Sequence, residues 1–118
     1  MTLCTTIHLH NVPAGREAEY AAWFDGAHRC ALAHLRGFES AERYEVANEQ
    51  IMPDIPQPWR FLSVYDFDLP APEIDIPALG PLIATARDAG MIADDDTERL
   101  YTYCLYSDWK GSPNWQRN

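Results

Sequence analysis

Basic residues are scarce in this chain, because nine lysines and arginines stand against 18 aspartates and glutamates, for a net charge of −9. So few cations cannot form the basic surface that follows a phosphate backbone, which argues against nucleic-acid binding. The same acidity disfavours attachment to anionic membrane surfaces. Runs of apolar residues are also far shorter than the roughly 20 that a membrane-spanning helix needs. We therefore expect a soluble protein without nucleic-acid or membrane partners.

Cysteine is scarce too, and the chain's three cysteines, Cys4, Cys30 and Cys104, include no CxxC pair. An odd number with this spacing argues against a disulfide scaffold or a zinc ribbon. We expect reduced, buried thiols in a cytoplasmic protein, and a nucleophilic role only where a base lies beside the thiol. The first residues, MTLCTTIHLHNVP, have no cationic segment and no long apolar run, so we expect no signal peptide.

Signature motifs of phosphate and serine chemistry are also missing. The sequence has no glycine-rich phosphate loop, and no GxS pattern surrounds its serines. Nucleotide-dependent chemistry and serine hydrolysis are therefore disfavoured.

The apolar pattern predicts four strands and two helices in the order β-α-β-β-α-β. The strands are residues 3–12, 38–46, 60–69 and 99–107, and the helices are residues 16–35 and 79–89. Two crossovers around a central hairpin give a four-stranded antiparallel sheet with both helices on one face, the ferredoxin-like α+β arrangement. We expect a single domain over residues 1–118, with a core at 3–107 and a C-terminal tail at 108–118.

The first strand and first helix carry the most informative patterns. On the strand, an apolar row alternates with a more polar one: Leu3, Thr5, Ile7 and Leu9 against Cys4, Thr6, His8 and His10. Both rows are mixed enough that either could face the helices. The helix stripe follows 3/4 spacing through Tyr20, Trp23, Ala27, Ala31 and Leu35, widened by Phe24. His28 lies about 100° from Ala27, at the edge of this stripe. On the second strand, Phe38, Tyr44 and Val46 share a face opposite Arg43.

Two connections are rich in proline and therefore predicted to be irregular. Residues 48–59 also carry Ile51, Met52, Ile55 and Trp59, so this loop should pack down as a lid or a dimer arm. Residues 70–77 form the second connection. Asp94, Asp95 and Asp96 are expected in a solvated turn, since calcium loops alternate their acidic ligands. Trp115 should pack against the body or a partner chain.

Four short stretches share a pattern with one known group of proteins. They are residues 19–28 (EYAAWFDGAH), 35–38 (LRGF), 43–44 (RY) and 60–67 (RFLSVYDF). An aromatic pair, an acidic residue and a histidine precede a Gly-Phe that enters a strand ending in Arg-Tyr. This resembles the EthD-like group of the dimeric α+β barrel superfamily. Cys30 departs from the pattern, because those relatives often have proline two residues after the histidine.

The resemblance implies a ferredoxin-like protomer in a homodimer whose two sheets form a barrel. It also implies a pocket between sheet and helices in each protomer. The superfamily includes cofactor-free monooxygenases, polyketide cyclases, muconolactone-type isomerases and aldoxime- and heme-related enzymes, so it bears on the fold more than on the reaction. Independently, whichever sheet face the helices leave open carries a half-apolar set, such as Tyr101, Tyr103 and Leu105 or else Cys104 and Tyr106. Such a face favours pairing with a second copy.

His28 is the leading candidate for chemistry, with Asp25 three residues earlier as its orienter. A neutral imidazole can take a proton from a phenol or an activated C–H bond, because its pKa is close to working pH. The resemblance also implies a histidine near the pocket at this position. From spacing alone, the alternative is a boundary histidine that makes one hydrogen bond. His34, in the last helical turn, is assigned no function.

The candidate substrate-binding residues are His8, His10, Tyr20, Phe24, Arg43, Tyr65 and Tyr103. His8 and His10 form an H-x-H pair, but no signature supplies a third ligand, so we expect no metal. Arg43 either anchors a carboxylate or phenolate, or pairs with an acidic neighbour such as Glu45. The aromatic residues are either core or the walls of an apolar pocket that suits a flat molecule.

Together with the resemblance, which implies chemistry without a cofactor, these residues predict a small enzyme. It would act on an aromatic or polyketide-like small molecule by histidine-assisted proton transfer, as a cyclase, isomerase, dehydratase or monooxygenase. One alternative is a non-catalytic homodimer that binds a small ligand in the same pocket. Another is a purely structural dimer, which a solid core between helices and sheet would indicate. A buried, hydrogen-bonded histidine with room for a ligand would distinguish the enzyme.

Overall fold

The structure is a computed structural model that describes residues 2–105. Its strands are β1 (Thr2–His10), β2 (Phe38–Glu45), β3 (Phe61–Leu69) and β4 (Arg99–Cys104). The first helical region comprises α1 (Glu17–Trp23), a π-helical segment (Phe24–His28) and α2 (Arg29–Leu32). The second comprises α3 (Pro72–Asp75), a 3₁₀ turn (Ile76–Leu79) and α4 (Gly80–Asp88). The predicted order is confirmed, while residues 106–107 of the predicted fourth strand and Trp115 lie outside the described residues.

The four strands form one antiparallel sheet in the order β2-β3-β1-β4. The first and third strands are therefore central, and each helical crossover passes over one central strand to place the next strand at an edge of the sheet. This is the ferredoxin-like topology that the sequence predicts. The register places His8 opposite Ser63 on one side and Leu100 on the other.

The helices cover the more polar row of β1, not the apolar one. The buried row consists of Cys4, Thr6, His8 and His10. The opposite row lies on the open sheet face and is partly exposed: Leu3, Thr5, Ile7 and Leu9. β3 contributes a mostly aromatic buried row beneath the helices: Phe61, Ser63, Tyr65, Phe67 and Leu69. Burying the polar row instead of the apolar one places several hydrogen-bonding groups in the core, where each needs a partner.

The π-helical segment turns His28 into the core. An unbroken α-helix would carry the inward stripe of Tyr20 through Ala27, as the 3/4 spacing predicts. A π turn holds one extra residue, which rotates the following positions by about 100°. The buried side chains are accordingly Tyr20, Phe24, His28 and Leu32, whereas Ala27 is exposed. The predicted place of His28 at the edge of the stripe is therefore wrong, because the prediction assumed α-helical geometry throughout.

A register shift near the start of β2 also changes which residues share a face. Phe38 pairs with Phe67, but Ser40 pairs with Asp66, so the strand bulges between them. Phe38 therefore lies on the helix side against Phe67, while Tyr44 lies on the open side opposite Leu62. The predicted common face of Phe38 and Tyr44 is wrong for this reason.

The first helical region ends at Leu32, earlier than the predicted residue 35, and Gly37 lies in the turn that follows, in a left-handed conformation with φ of 76°. The backbone of β3 runs very close to it, since its carbonyl accepts a hydrogen bond from the Asp68 amide at 2.8 Å. A Cβ at this position would lie 2.4 Å from the Asp68 carbonyl oxygen and 2.6 Å from Leu69 Cδ2. Both the backbone conformation and the contact require glycine.

We expect Gly37→Ala to lower the free energy of unfolding by more than about 2 kcal/mol. The left-handed conformation alone costs an alanine roughly 1–2 kcal/mol, and displacing the β3 backbone adds to this. Gly15→Ala is the matched control, because Gly15 has φ of 85° but nothing within 4 Å of the new Cβ. Urea unfolding compares the two. Equal losses in both variants would contradict the close approach of β3.

The second helical region buries Leu79, Ile83 and Ala86, with Leu82 partly buried, as the sequence predicts. It ends before Gly90, which has φ of 76°. The proline-rich connection before it is helical, contrary to the prediction, since it forms α3 and the 3₁₀ turn. Pro72 and Pro77 lie in the first turns of these elements, where a missing N–H removes no helical hydrogen bond.

The loop before β3 has no helix or strand, as predicted, but most of it does not pack down within this chain. Ile51, Met52 and Ile55 are exposed. Trp59 is partly buried and donates its indole N–H to the Thr97 carbonyl. A role for the exposed residues as a dimer arm stays a prediction.

The three consecutive aspartates, Asp94 to Asp96, form an exposed turn, as predicted. Asp95 accepts hydrogen bonds from the backbone N–H and the hydroxyl of Thr97, at 3.1 and 2.6 Å. Within residues 2–105, no group of three or more His, Cys, Asp or Glu side chains is arranged to hold a metal ion.

Large apolar side chains remain uncovered on the open sheet face: Leu3, Tyr44, Tyr101, Tyr103 and Leu105. Such a patch is unusual on a chain that works alone. The cysteines differ from expectation, because Cys4 is buried but Cys30 and Cys104 are exposed. No helix in the described part of the chain is long and apolar enough to cross a membrane.

Candidate functional site

His28 lies between the first helical region and the sheet, with its side chain 3 % exposed. Its Nε2 is 2.9 Å from the hydroxyl of Tyr65, which projects from the centre of β3. The indole of Trp23 stacks on the imidazole at a ring-centre distance of 4.3 Å, and Phe24 packs beside it at 5.2 Å. The π segment thus places one hydrogen-bonded histidine among aromatic rings.

Burial decides the protonation state of this pair. It lowers the pKa of His28 to about 4, with further lowering by His8 and His10. It raises the pKa of Tyr65 well above the usual tyrosine value. Both groups are therefore neutral near pH 7. A neutral imidazole carries one donor and one acceptor nitrogen, so it can accept a proton or share one with the phenol.

A second hydrogen-bonded chain lies next to this pair and links β1, α1 and β3. His10 Nδ1 is 3.2 Å from the Asn11 carbonyl oxygen, which can only accept, so Nδ1 carries the hydrogen. In a neutral ring Nε2 is then an acceptor, and the Tyr20 hydroxyl donates to it at 3.3 Å. Ser63 can donate in turn to the Tyr20 oxygen at 3.2 Å. Burial, followed by the charge of His8, lowers the pKa of His10 to about 4.

His8 connects the cluster to the surface through Glu98. Its Nε2 is 2.6 Å from Glu98 Oε2, and the other Glu98 oxygen is 2.5 Å from Arg87. Burial lowers the pKa of His8 despite Glu98, so a neutral ring donates its N–H to the carboxylate. Burial alone would raise the pKa of Glu98, but hydrogen bonds from Arg87 and His8 outweigh it and lower that pKa. The rings of His8 and His10 lie 4.4 Å apart.

Asp25 pairs with Arg43 and does not bond to His28. The two arginine nitrogens lie 3.2 and 2.9 Å from the two carboxylate oxygens, and Arg29 approaches the same carboxylate at 3.5 Å. The hydrogen bond from Arg43 lowers the pKa of Asp25. The expected orienting role of Asp25 is therefore not met, because its side chain leaves the helix on the exposed side. Tyr65 takes that position instead.

The candidate residues thus divide into three groups. His28, Tyr65, Tyr20, Phe24, His10 and His8 come together beneath the helices. Asp25 and Arg43 form an ion pair at the exposed edge, which matches the alternative of an acidic partner for Arg43. Tyr103 lies on the open sheet face and is 62 % exposed, so it does not join the cluster. Its position follows from pairing with Thr5, which belongs to the open row of β1.

Two further residues, Ser63 and Glu98, belong to the cluster, although no local sequence pattern marks them. Ser63 shares the buried face of β3 with Tyr65, and this follows from strand alternation once the face is known. Glu98 precedes β4 and reaches His8 only through the register of β4 against β1. Tertiary pairing of this kind leaves no local pattern.

Two cavities among the described residues lie away from His28. One, of about 150 Å³, is largely apolar and includes Tyr44, Trp59 and Phe61 in its lining. Another, of about 200 Å³, lies among Arg87, Ala93, Glu98 and the three aspartates. A ligand would have to displace an aromatic ring to reach His28. Trp23 is the neighbour that is only partly buried, whereas Phe24 and Tyr65 are fully enclosed.

Searches against protein-family models and against curated proteins found no match to this chain. Solved structures do match over most of its length. A proposed antibiotic biosynthesis monooxygenase from Bordetella bronchiseptica superposes with a TM-score of 0.61 at 15% identity, covering 87% of this chain and 96% of that one. A proposed monooxygenase from Shewanella loihica gives a TM-score of 0.54 at 19% identity, covering 92% and 99%.

A third match states the fold directly. A protein of the dabb family with a ferredoxin-like fold, from Mesorhizobium loti, has a TM-score of 0.55 at 15% identity, covering 87% of this chain and 96% of that one. The chain has the ferredoxin-like fold. At these identities the likeness shows the fold alone. The finer resemblance to EthD-like proteins stays a prediction.

Proposed function

We propose that this ferredoxin-like chain is a small enzyme that acts without a cofactor on an aromatic or polyketide-like molecule. The main supporting observation is the buried His28–Tyr65 pair, in which His28 Nε2 lies 2.9 Å from the Tyr65 hydroxyl. His28 itself belongs to the π-helical segment. π segments inside α-helices occur frequently at functional sites. A histidine that is neutral near pH 7 and hydrogen-bonded has a nitrogen available to accept a proton. Its pKa of about 4 in the closed cluster makes it a weak base, so catalysis requires the bound substrate to raise that pKa toward working pH.

The chemistry begins with removal of a proton. An aromatic substrate takes the place of the Trp23 indole on the face of His28, since that indole stacks there and is only partly buried. The imidazole then accepts a proton from a phenol or from a C–H bond next to a carbonyl. The Tyr65 hydroxyl donates to the oxygen that gains negative charge. Cyclisation, isomerisation, dehydration and cofactor-free oxygenation can all start from this step.

The neighbouring polar groups suit the oxygens of such a substrate. Tyr20 and Ser63 place two hydroxyls beside the aromatic rings, and His10 keeps them in a fixed hydrogen-bond direction. Arg43 lies on β2 opposite Ser63, and its positive charge acts on the Tyr20 hydroxyl, favouring a lower pKa. A substrate carboxylate or phenolate can therefore compete with Asp25 for Arg43.

A non-catalytic ligand-binding protein is the second candidate, and one observation favours it. The aromatic rings close around His28, whereas the apolar cavity at Trp59 and Phe61 is already open. A ligand bound there would contact no part of the His28–Tyr65 pair. Catalysis that depends on His28 would exclude this alternative.

The proposal includes a homodimer formed through the open sheet face. The exposed residues Leu3, Tyr101 and Tyr103 form an apolar surface that a second copy would cover. A ferredoxin-like protein from Thermobifida fusca that superposes with a TM-score of 0.56 at 13% identity is described as dimeric. The exposed loop residues Ile51 and Met52 lie at the end of the same sheet and could extend the contact.

Native mass spectrometry of the protein purified from its own host tests both parts of this proposal. We expect twice the 13.4 kDa chain mass, with a retained organic molecule of aromatic character. Tyr103→Glu should yield a monomer, because it would place an unpaired charge in the apolar contact between the two copies. Ala33→Glu, at an exposed turn position just after α2 and away from the open sheet face, is the control and should stay dimeric. A wild-type monomer would contradict the dimer. A retained ligand that binds equally well to the wild type and to Trp23→Ala would contradict the site, because the ligand would then not occupy the place of the indole.

A further inference from the structure

We propose that Cys4 and Cys104 are a modification site, where a hydroperoxide joins the two thiols in a disulfide between β1 and β4. The two residues face each other directly across the antiparallel pair, and their sulfur atoms are 2.7 Å apart. Both thiols are free in this structure. This inference uses none of the residues assigned to the proposed catalytic step.

Backbone geometry favours the bond. The Leu105 amide donates to the Leu3 carbonyl at 2.8 Å, so Leu3 and Leu105 form a hydrogen-bonded pair at the end of the ladder. Cys4 and Cys104 are the next pair inward and are therefore a non-hydrogen-bonded pair, whose Cα atoms approach to about 4.5 Å. Disulfides span Cα separations of about 4.4–6.8 Å, so neither strand needs to move far.

The two thiols have unequal access to an oxidant. Cys104 is exposed, whereas Cys4 is fully buried, and burial together with Cys104 raises the pKa of Cys4 to about 11. Cys104 is therefore the thiol that meets the hydroperoxide. Its sulfur attacks the O–O bond and becomes a sulfenic acid, releasing water or an alcohol. The Cys4 sulfur then attacks the sulfenic sulfur, the S–S bond forms, and water leaves with the Cys4 proton.

The Cys4–Cys104 disulfide would link the edge strand β4 covalently to β1. β4 pairs with β1 alone, and its described residues are all exposed. A link at the Cys4–Cys104 end closes a loop of nearly the whole chain, which restricts the unfolded state most strongly. Because both sulfurs lie on the helix side, opposite to Tyr103, the bond is compatible with pairing through the open face. The oxidised protein should therefore unfold at a higher temperature until a dithiol reductant is added.

Intact-mass spectrometry after hydrogen peroxide treatment tests the inference in the full chain. The Cys30→Ser background removes the other exposed thiol. There we expect a loss of about 2 Da, a melting temperature raised by several degrees, and a peptide map that links residues 4 and 104. Adding Cys4→Ser should replace this product by a gain of about 16 or 32 Da at Cys104. Adding Cys104→Ser should leave the folded protein unoxidised at Cys4.

Three results would overturn the inference. One is a gain of oxygen at Cys104 while Cys4 is present, without the loss of two hydrogens. Another is a disulfide between two copies of the chain, seen as doubled mass under denaturing, non-reducing conditions. The third is a Cys4–Cys104 link that forms but lowers the melting temperature, because this would show that the strands must distort to make it.

Discussion

His28→Gln lowers turnover of the native substrate by about 10²- to 10⁴-fold, the usual contribution of a general acid or base. Glutamine is close to histidine in size and keeps a polar group for Tyr65, so the core around the π segment stays filled. It cannot take up a proton, however. The molecule retained in the native mass spectrum supplies the substrate, and its conversion is followed by liquid chromatography with mass detection.

Two further variants separate chemistry from packing. Tyr65→Phe keeps the ring in the core but removes the hydroxyl that lies 2.9 Å from His28, so we expect a loss of at least about tenfold in kcat with KM little changed. His34→Gln replaces an exposed histidine of the same helical region and should keep full activity. Wild-type turnover in His28→Gln would remove His28 from the chemistry and favour the ligand-binding alternative.

We expect a second large effect on stability: the free energy of unfolding falls steeply as the pH drops from about 6.5 to about 4. The pKa values of His10 and His28 lie near 4 in the folded chain, against an ordinary value of 6.5. Between pH 6.5 and pH 4 these histidines are protonated in the unfolded chain but neutral in the folded chain. Their contribution to the free energy of unfolding is therefore complete above pH 6.5 and is lost as the pH falls toward 4. Each histidine contributes a slope of about 1.4 kcal/mol per pH unit, or about 3 kcal/mol over the window.

The combined loss in free energy of unfolding from two such histidines is close to the whole stability of an ordinary domain. Lowered carboxyl pKa values, as at Asp25 and Glu98, act in the same direction but mainly at lower pH. Urea unfolding at a series of pH values measures the slope. His28→Gln and His10→Gln should each remove about one proton from it, and His34→Gln serves as the exposed control. A slope unchanged by both buried substitutions would mean that these histidines are not neutral in the folded chain.

Local patterns were enough to predict the fold. Strand alternation in β1 and β3 and the stripe of Leu79, Ile83 and Ala86 each arise from neighbours within one element, so they can be read before tertiary structure is known. Gly37 likewise marks the turn into β2 through its own backbone conformation. The proline-rich segment before the 3₁₀ turn was misjudged because proline breaks helix interiors but is tolerated in first turns.

The candidate site depended on features that periodicity does not contain. The prediction placed His28 at the edge of the helix stripe, since a π turn changes the phase of the helix without an obvious sequence mark. Asp25 was expected beside His28 for the same reason, whereas the turn directs it to Arg43. Ser63 and Glu98 enter the cluster through strand register alone. Which face of β1 the helices cover was equally open, since both rows are mixed.

An NMR titration of the His28 ring tests the central claim most directly. The account predicts ring signals of a neutral imidazole from pH 8 to about pH 5, a pKa near 4, and a changed nitrogen shift when Tyr65→Phe removes its partner. A His28 that titrates near the ordinary value of 6.5, with signals unaffected by Tyr65→Phe, would contradict it. The imidazole would then be solvated and unpaired, and the proposed base would have no site.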